Sequence, residues 1–247
     1  MKVESNIVVS EFITKMEDLL YHEDNTHVNI ADKVAKQAYS LNRFQVPYYV
    51  LTNEPSQDKI DNLHIVNVNL EKIYRNYPDM SLYFCRIFMA FYFLQAHPEI
   101  EKAALTDATD VTMLNYPFDR VKPDVLYMGD ETNFLFVNKL VIDRNDPEYM
   151  TDFFLENSNL LPTLNLGIMV GTRAILVEYL GIMVKLLTEA KLKFKQGDPK
   201  FHLGKYEMGI SNYVAYKYFN DRLVHGREVS TIFSGYQEHS SAWFKHK

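Results

Sequence analysis

Two aspartates three residues apart, Asp107 and Asp110, are the side chains whose types and spacing most readily suggest chemistry. They follow a short apolar run that is typical of the end of a buried strand. Aspartate is a poor strand former, and carboxylates there destabilise the fold unless a cation or hydrogen-bond donors meet them. Because Mg²⁺ typically binds one or two carboxylates plus its substrate's phosphates, the pair predicts a metal–diphosphate site at the carboxyl end of a sheet. An Asp-rich turn that caps the next segment explains the spacing equally well.

A second residue of interest is Arg86, the one charged side chain in the apolar stretch 81–96. A helix that is apolar on all sides is expected to be buried. A buried guanidinium needs an anionic partner, and its planar fork suits phosphate or carboxylate. Arg86 therefore either contacts a substrate diphosphate or the Asp pair, or forms a structural salt bridge or extends its charged end to solvent.

The elements that must position these residues alternate in type along the first part of the chain. Apolar and β-branched runs predict strands at residues 6–10, 46–52, 63–68 and 125–128, one ending before Asp107, and a late one at 229–233. Periodicity predicts helices from Asn29 or Asp32 to about residue 41, and over residues 81–96, 173–187 and 207–219. Residues 138–162 lack clear periodicity, so a loop and helix excursion is expected there. The alternation predicts an α/β fold with a largely parallel central sheet flanked by helices.

Composition narrows the class of protein. Nearly half of the 247 residues are hydrophobic, and no linker or repeat divides them, so one domain over residues 1–247 is expected. The net charge of -6 argues against a generally basic nucleic-acid binder. A single cysteine, Cys85, excludes an internal disulfide and fits a reducing compartment. No stretch resembles a signal peptide or a membrane span, so a cytoplasmic protein is expected.

Two motifs resemble the donor side of GT-A-type glycosyltransferases. Residues 106–111, TDATDV, are similar to the DxD-type motif in a D-x-x-D form. Asn165 and Gly167, followed by Gly171, are similar to the N-x-G…G segment near the donor sugar.

Two later motifs extend the resemblance, which covers most of the chain after about residue 80. Glu207 and Met208, followed by Asn212, are similar to a D-M-x-x-x-N element with Glu in the Asp place. The terminal residues 243–247, WFKHK, are similar to tails in which a late histidine completes the metal site and a basic residue meets the diphosphate.

The resemblance implies a metal-dependent glycosyltransferase with a single GT-A-like domain. Residues 1–135 would form the nucleotide-binding half, and residues 136–247 the acceptor half with a closing tail. The enzyme would move a sugar from a nucleotide-diphosphate donor, with a UDP-sugar expected, to a hydroxyl on a glycan, lipid or protein. Mn²⁺ or Mg²⁺ would be the metal.

The resemblance also implies roles for individual residues. Asp110 would be a catalytic residue and direct metal ligand, with His246 as the late ligand and Asp107 near the ribose or the metal's water shell. Asn165 and Gly167 would lie by the donor sugar. Three basic residues would meet the diphosphate: Arg86, Lys245 and Lys247.

Glu207 is the other implied catalytic residue, either as an acceptor contact or, in an inverting enzyme, as the general base. The tail is expected to fold over the bound nucleotide, anchored by Trp243 and Phe244. On this hypothesis, its removal should change the melting temperature of the ligand-free protein little.

Three alternatives stay open. A phage-type DNA glycosyltransferase would act on a hydroxylated base, although the net charge counts against it unless the basic strip at residues 185–200 forms the contact face. A nucleotidyltransferase would need a glycine-rich phosphate loop near the first strand, which the sequence lacks. A non-catalytic nucleotide-sugar-binding protein on the same fold is the third, and the intact Asp pair argues against it.

Overall fold

A seven-stranded, mostly parallel sheet flanked by helices organises this mixed α/β protein. The computed structural model describes residues 2–19, 25–55, 60–76, 80–135, 146–157, 160–232 and 239–247. The strands of the described chain are β1 (Asn6–Phe12), β2 (Tyr48–Thr52), β3 (Leu63–Asn67), β4 (Lys102–Thr106), β5 (Val111–Met113), β6 (Leu126–Phe134), β7 (Pro162–Thr172), β8 (Leu223–His225) and β9 (Phe244–His246). The helices are α1 (Ile30–Asn42), α2 (Glu71–Asn76), α3 (Leu82–Ala96), α4 (Glu148–Asn157), α5 (Arg173–Lys195) and α6 (Met208–Tyr218).

The strand directions bring several loops to one edge of the sheet. The order is β3-β2-β1-β4-β7-β6-β8, and β7 runs antiparallel to both of its neighbours, β4 and β6. The carboxyl ends of β1 and β4 therefore meet the amino end of β7 at the same edge. Strands from residues 1–135 and from residues 136–247 share this sheet. A separate two-stranded sheet pairs β5 with β9 antiparallel.

Local sequence explains most of the predicted elements, which the structure confirms at β1, β2, β3, β4, β6, α1, α3, α5 and α6. The side chain of Asn29 accepts a hydrogen bond from the Asp32 amide at 3.1 Å and so caps α1. Helix α5 ends at a turn in which Gly197 has a φ of +93°, a backbone conformation that favours glycine. Helix α4 lies within the stretch for which a loop and helix were expected, of which residues 138–145 and 158–159 lie outside the described residues.

The strand predicted at residues 229–233 is wrong for its described part, residues 229–232. The amides of Val229 and Ser230 both donate to the Gly226 carbonyl at 3.0 Å, which forms a turn. Ser230 makes a single isolated bridge to Phe244. The β-branched residues therefore support the tail instead of extending a sheet.

Two apolar layers cover the two faces of the sheet. Helices α3, α5 and α6 pack on one face through residues such as Phe88, Leu180 and Val214, which are buried. Helix α1 and the β5–β9 sheet cover the other face, where Trp243 and Phe244 join the core. No helix of the described residues is both long and apolar enough to cross a bilayer.

Candidate metal centre and cavity

Asp107, Asp110 and His246 converge at the sheet edge where β1, β4 and β7 meet. One ligand atom from each lies within 4.8 Å of the others. The Nε2 atom of His246 is 3.4 Å from Asp107 Oδ2 and 3.6 Å from Asp110 Oδ1. The three side chains thus form a compact donor set of two carboxylates and one imidazole.

Strand pairing positions each of the three candidate ligands. Asp107 follows β4, and its amide donates to the Gly167 carbonyl of β7 at 2.9 Å. Asp110 directly precedes β5, in which Val111 pairs with His246 of β9. The Lys247 amide donates to the Asp110 carbonyl at 2.9 Å. The β5–β9 sheet therefore brings residue 246 back to the Asp pair.

A closed ring of hydrogen bonds lies beneath the Asp107 loop. Tyr48 donates its hydroxyl proton to Ser10 Oγ at 3.0 Å, and Ser10 lies 2.8 Å from Thr106 Oγ1. With the Gln37 amide oriented to satisfy both its ends, its nitrogen donates to the Tyr48 hydroxyl and its oxygen accepts from Thr106. The second amide proton reaches the Asp107 carbonyl at 2.9 Å. This buried and satisfied network holds the loop in one position.

The donor set fits a divalent cation. Two neighbouring ligand atoms that each bind an ion at about 2.1 Å lie about 3.0–3.4 Å apart. The distances from His246 Nε2 to the oxygens of Asp107 and Asp110, 3.4 and 3.6 Å, are close to this range. Asp110 Oδ1 is buried and accepts no hydrogen bond within the described part of the chain. Its other oxygen, Oδ2, is 3.2 Å from Lys247 Nζ. Carboxylate and imidazole ligands suit Mn²⁺, with Mg²⁺ favouring the oxygens.

The charges of the set are mutually dependent. Burial disfavours the Asp107 carboxylate, but the Arg86 guanidinium and then His246 outweigh it and hold the pKa of Asp107 well below its usual range. Burial also disfavours a charged His246, yet the two carboxylates raise the pKa of its imidazole to about 9. A cation that binds here must displace that proton.

Arg86 contacts Asp107 of the Asp pair, which is one of the partners expected for a charged residue in an apolar helix. It donates to Asp107 Oδ1 at 2.5 Å and to Glu11 Oε2 at 3.4 Å. Burial opposes its charge, but Asp107 and Glu11 raise its pKa further, so it stays protonated. The guanidinium therefore positions Asp107, and its side chain is 20% exposed toward the cavity.

Gly167 leaves the room that the metal group needs. A Cβ atom at this position would overlap His246 Cε1 and lie 2.5 Å from Asp107 Oδ2. The backbone at Gly167 therefore approaches the side chains of His246 and Asp107 closely, which only a residue without a side chain permits.

We expect Gly167→Ala to weaken Mn²⁺ binding at least tenfold, because the methyl group forces His246 and Asp107 apart. Titration calorimetry measures the affinity. The matched control is Gly129→Ala in neighbouring β6, where the nearest atom to a new Cβ would be Ser230 Oγ at 3.3 Å. Equal affinity in the two variants would contradict this account of Gly167.

Asn165 and Asn212 fix the amino end of β7. Asn165 Oδ1 accepts from the Gly167 amide, and its Nδ2 donates to Glu131, each at 2.6 Å. Asn212 of α6 accepts from the Leu164 amide at 2.8 Å and donates to the Leu164 carbonyl at 3.0 Å. The amide of Asn212 therefore substitutes for a strand partner and ties β7 to the start of α6.

A cavity of about 490 Å³ opens beside the metal group. Its charged lining is mostly acidic and consists of Glu11, Asp18, Asp107, Asp110, Glu131 and Glu207, against Lys33, Arg86, Lys247 and His246. Glu207 lies at the amino end of α6, half-buried. Burial raises the pKa of Glu207 to about 7, although Arg86 partly offsets the shift.

The structure does not bring Lys245 to this cavity, in contrast to the predicted diphosphate contact. Successive side chains of a strand point to opposite faces. Phe244 and His246 are buried on one face of β9, so Lys245 lies on the other. The other predicted site residues all line the cavity.

Glu11 and Glu131 are cavity residues that the sequence analysis missed. The side chain of Glu11 is 6% exposed, and its Oε1 has no hydrogen-bond partner among the described residues. Burial raises the pKa of Glu11 to about 7 and also raises that of Glu131. Each lies inside its strand, shortly after an apolar run, so a search for carboxylates that follow apolar runs could have found them.

The tail is part of the fold, which corrects the expected effect of its removal. Trp243 and Phe244 are fully buried in the core, and the Trp243 ring packs 5.0 Å from that of Tyr127. The Trp243 carbonyl accepts the amides of Leu114 and Asn115. Deleting these residues must therefore cost stability, contrary to the prediction of a small change.

No protein-family model matches this chain, and no curated protein matches it significantly. What the site does must therefore follow from its own residues.

Proposed function

We propose that the protein is a metal-dependent glycosyltransferase with a GT-A-like fold. It moves a sugar from a nucleotide-diphosphate donor, with a UDP-sugar as the expected donor, to an acceptor hydroxyl. The observation that carries the proposal is the Asp107, Asp110 and His246 group, which lies beside a cavity at the carboxyl edge of the sheet. The single buried Cys85 suits action in the cytoplasm.

The residues present divide the work on the donor. Asp107, Asp110 and His246 hold Mn²⁺ or Mg²⁺, which when bound stabilises the negative charge on the departing diphosphate. Lys247 is held beside Asp110 and adds positive charge at the same place. Arg86 keeps Asp107 ionised and in position, while Asn165 and Gly167 line the donor side of the cavity.

Glu207 serves the acceptor. In a direct displacement, the acceptor hydroxyl oxygen attacks the sugar carbon and the bond to the diphosphate breaks. The hydroxyl proton passes to the Glu207 carboxylate. A base is most efficient when its pKa lies near the working pH, and burial places the pKa of Glu207 at about 7.

We expect transfer to slow as pH falls below about 7, because protonated Glu207 cannot accept the proton. Glu207→Gln should lower kcat by about 10²–10⁴-fold and, with Mn²⁺ kept saturating at every pH, remove this pH dependence of kcat, while metal-dependent UDP binding is retained. Glu101→Gln, at an exposed carboxylate directly before β4, is the control. An unchanged kcat in Glu207→Gln would remove Glu207 from the mechanism.

The proposed function is tested by titrating a panel of nucleotide sugars with and without Mn²⁺, and by following donor hydrolysis. We expect one UDP-sugar to bind only with the metal and to be hydrolysed slowly. Binding without hydrolysis or transfer would favour the non-catalytic alternative. No binding of any member would contradict the proposal.

A further inference from the structure

The cavity wall formed by Glu11, Asp18, Tyr83, Tyr206 and Glu207 has a chemistry different from that of the metal group. It carries three carboxylates. The Tyr83 hydroxyl donates to Asp18 Oδ1 at 2.7 Å, which fixes the carboxylate in place. We refer to these five residues as the acidic wall.

The acidic wall has unmet acceptor capacity. The buried Oε1 of Glu11 accepts no hydrogen bond within the described chain, although its side chain is only 6% exposed. A buried carboxylate oxygen without a donor is costly, so a ligand that brings hydrogen-bond donors would be stabilised there.

Two aromatic rings complete the wall. The rings of Tyr83 and Tyr206 lie 5.5 Å apart at 55° to each other. Tyr206 is half-buried and Tyr83 is buried, and both line the cavity. The exposed part of Tyr206 offers an apolar surface beside the carboxylates, which suits a ring that has both CH groups and hydroxyls.

We propose that the acidic wall binds a neutral, hydroxyl-rich acceptor, a sugar residue whose hydroxyls donate to its carboxylates. This inference rests on the proposed function and assigns its acceptor class. Phosphate groups would face these like charges, because the guanidinium of Arg86 is already shared by Asp107 and Glu11. DNA and phosphorylated acceptors are therefore disfavoured.

The test compares pairs of acceptors that differ by one phosphate group. Methyl glucoside, maltose and lactose are each assayed beside a phosphorylated form, together with duplex DNA that contains hydroxymethylcytosine. We expect at least one neutral sugar to react with a kcat/KM about 100-fold above its phosphorylated form. Equal or faster transfer to the phosphorylated sugar or to DNA would overturn the inference.

Variants of the wall locate the effect. Asp18→Asn should raise the KM for the neutral sugar about tenfold, a larger effect than on the rate of donor hydrolysis. Tyr83→Phe should act in the same direction, since it removes the hydroxyl that positions Asp18. Asp119→Asn, at an exposed aspartate, is the control. Unchanged KM in both wall variants would contradict the role of the acidic wall.

A binding measurement separates this inference from the proposed function. Ligand-detected NMR reports binding of the same neutral sugars to the full chain with Mg²⁺ and UDP. If the neutral sugars bind, Asp18→Asn weakens that binding and no donor is hydrolysed, the role of the acidic wall is supported and the proposed glycosyltransferase activity is contradicted. If the donor is hydrolysed but no neutral sugar binds or accepts the transferred sugar, the role of the acidic wall is contradicted and the proposed glycosyltransferase activity still stands.

Discussion

Trp243→Ala is expected to lower the free energy of unfolding by about 3–5 kcal/mol, because a fully buried indole is lost and a cavity remains. For a chain of this size, the corresponding fall in melting temperature is about 6–20 °C. Deleting residues 243–247 should be worse, since the Phe244 ring and the β5–β9 pairing are lost as well. Thermal unfolding followed by circular dichroism measures both effects.

The control for this prediction is His246→Ala, a change in the same strand. It should abolish metal binding, because it removes the one nitrogen ligand of the group. At neutral pH it should also lower the free energy of unfolding, because Asp107 and Asp110 lose a buried charged partner. Well above pH 9 the imidazole is neutral and that contribution is gone, so His246→Ala should then lower stability less than Trp243→Ala, which leaves the larger cavity at every pH. A melting temperature unchanged by Trp243→Ala would show that the tail does not belong to the core.

Asp110→Asn is expected to weaken Mn²⁺-dependent UDP binding by about 100-fold or more and to abolish transfer. The substitution keeps the shape of the side chain but removes the charge of the oxygen that faces His246. Calorimetry with UDP and Mn²⁺, followed by a donor hydrolysis assay, measures both outcomes. Asp119→Asn serves as control, because it removes an exposed carboxylate outside the cavity.

The fold should tolerate Asp110→Asn. The substitution removes the repulsion between the carboxylates of Asp110 and Asp107, which favours the fold. It also removes the attraction of the Asp110 carboxylate to Lys247 and His246, which opposes that gain. We therefore expect a melting temperature within a few degrees of that of the unchanged protein. Full metal-dependent turnover in this variant would exclude Asp110 as a metal ligand.

Local patterns were sufficient to predict the elements that carry the Asp pair. The all-apolar stretch that became α3 was expected to be buried, and its residues Phe84, Phe88 and Leu94 lie in the core. The alternation of strands and helices predicted the parallel part of the sheet. These properties depend on side-chain type and short-range period, which any stretch of the chain carries by itself.

Strand β7 shows where local patterns were insufficient. Its glycines indicated a close approach, but an apolar run does not specify its neighbours or its direction. Only the folded chain places β7 antiparallel between β4 and β6, with Gly167 against His246. The reason is that strand order is decided by pairings between residues distant in sequence.

The sequence by itself determined which side chains could bind a cation: two aspartates three residues apart and a histidine in an aromatic-anchored tail. Tertiary structure alone decided that they meet, because Val111 pairs with His246 across more than half the chain. It also decided between the two tail lysines. Strand alternation turns Lys245 away, while Lys247 lies 3.2 Å from Asp110, since the direction of a side chain depends on the pairing of its strand.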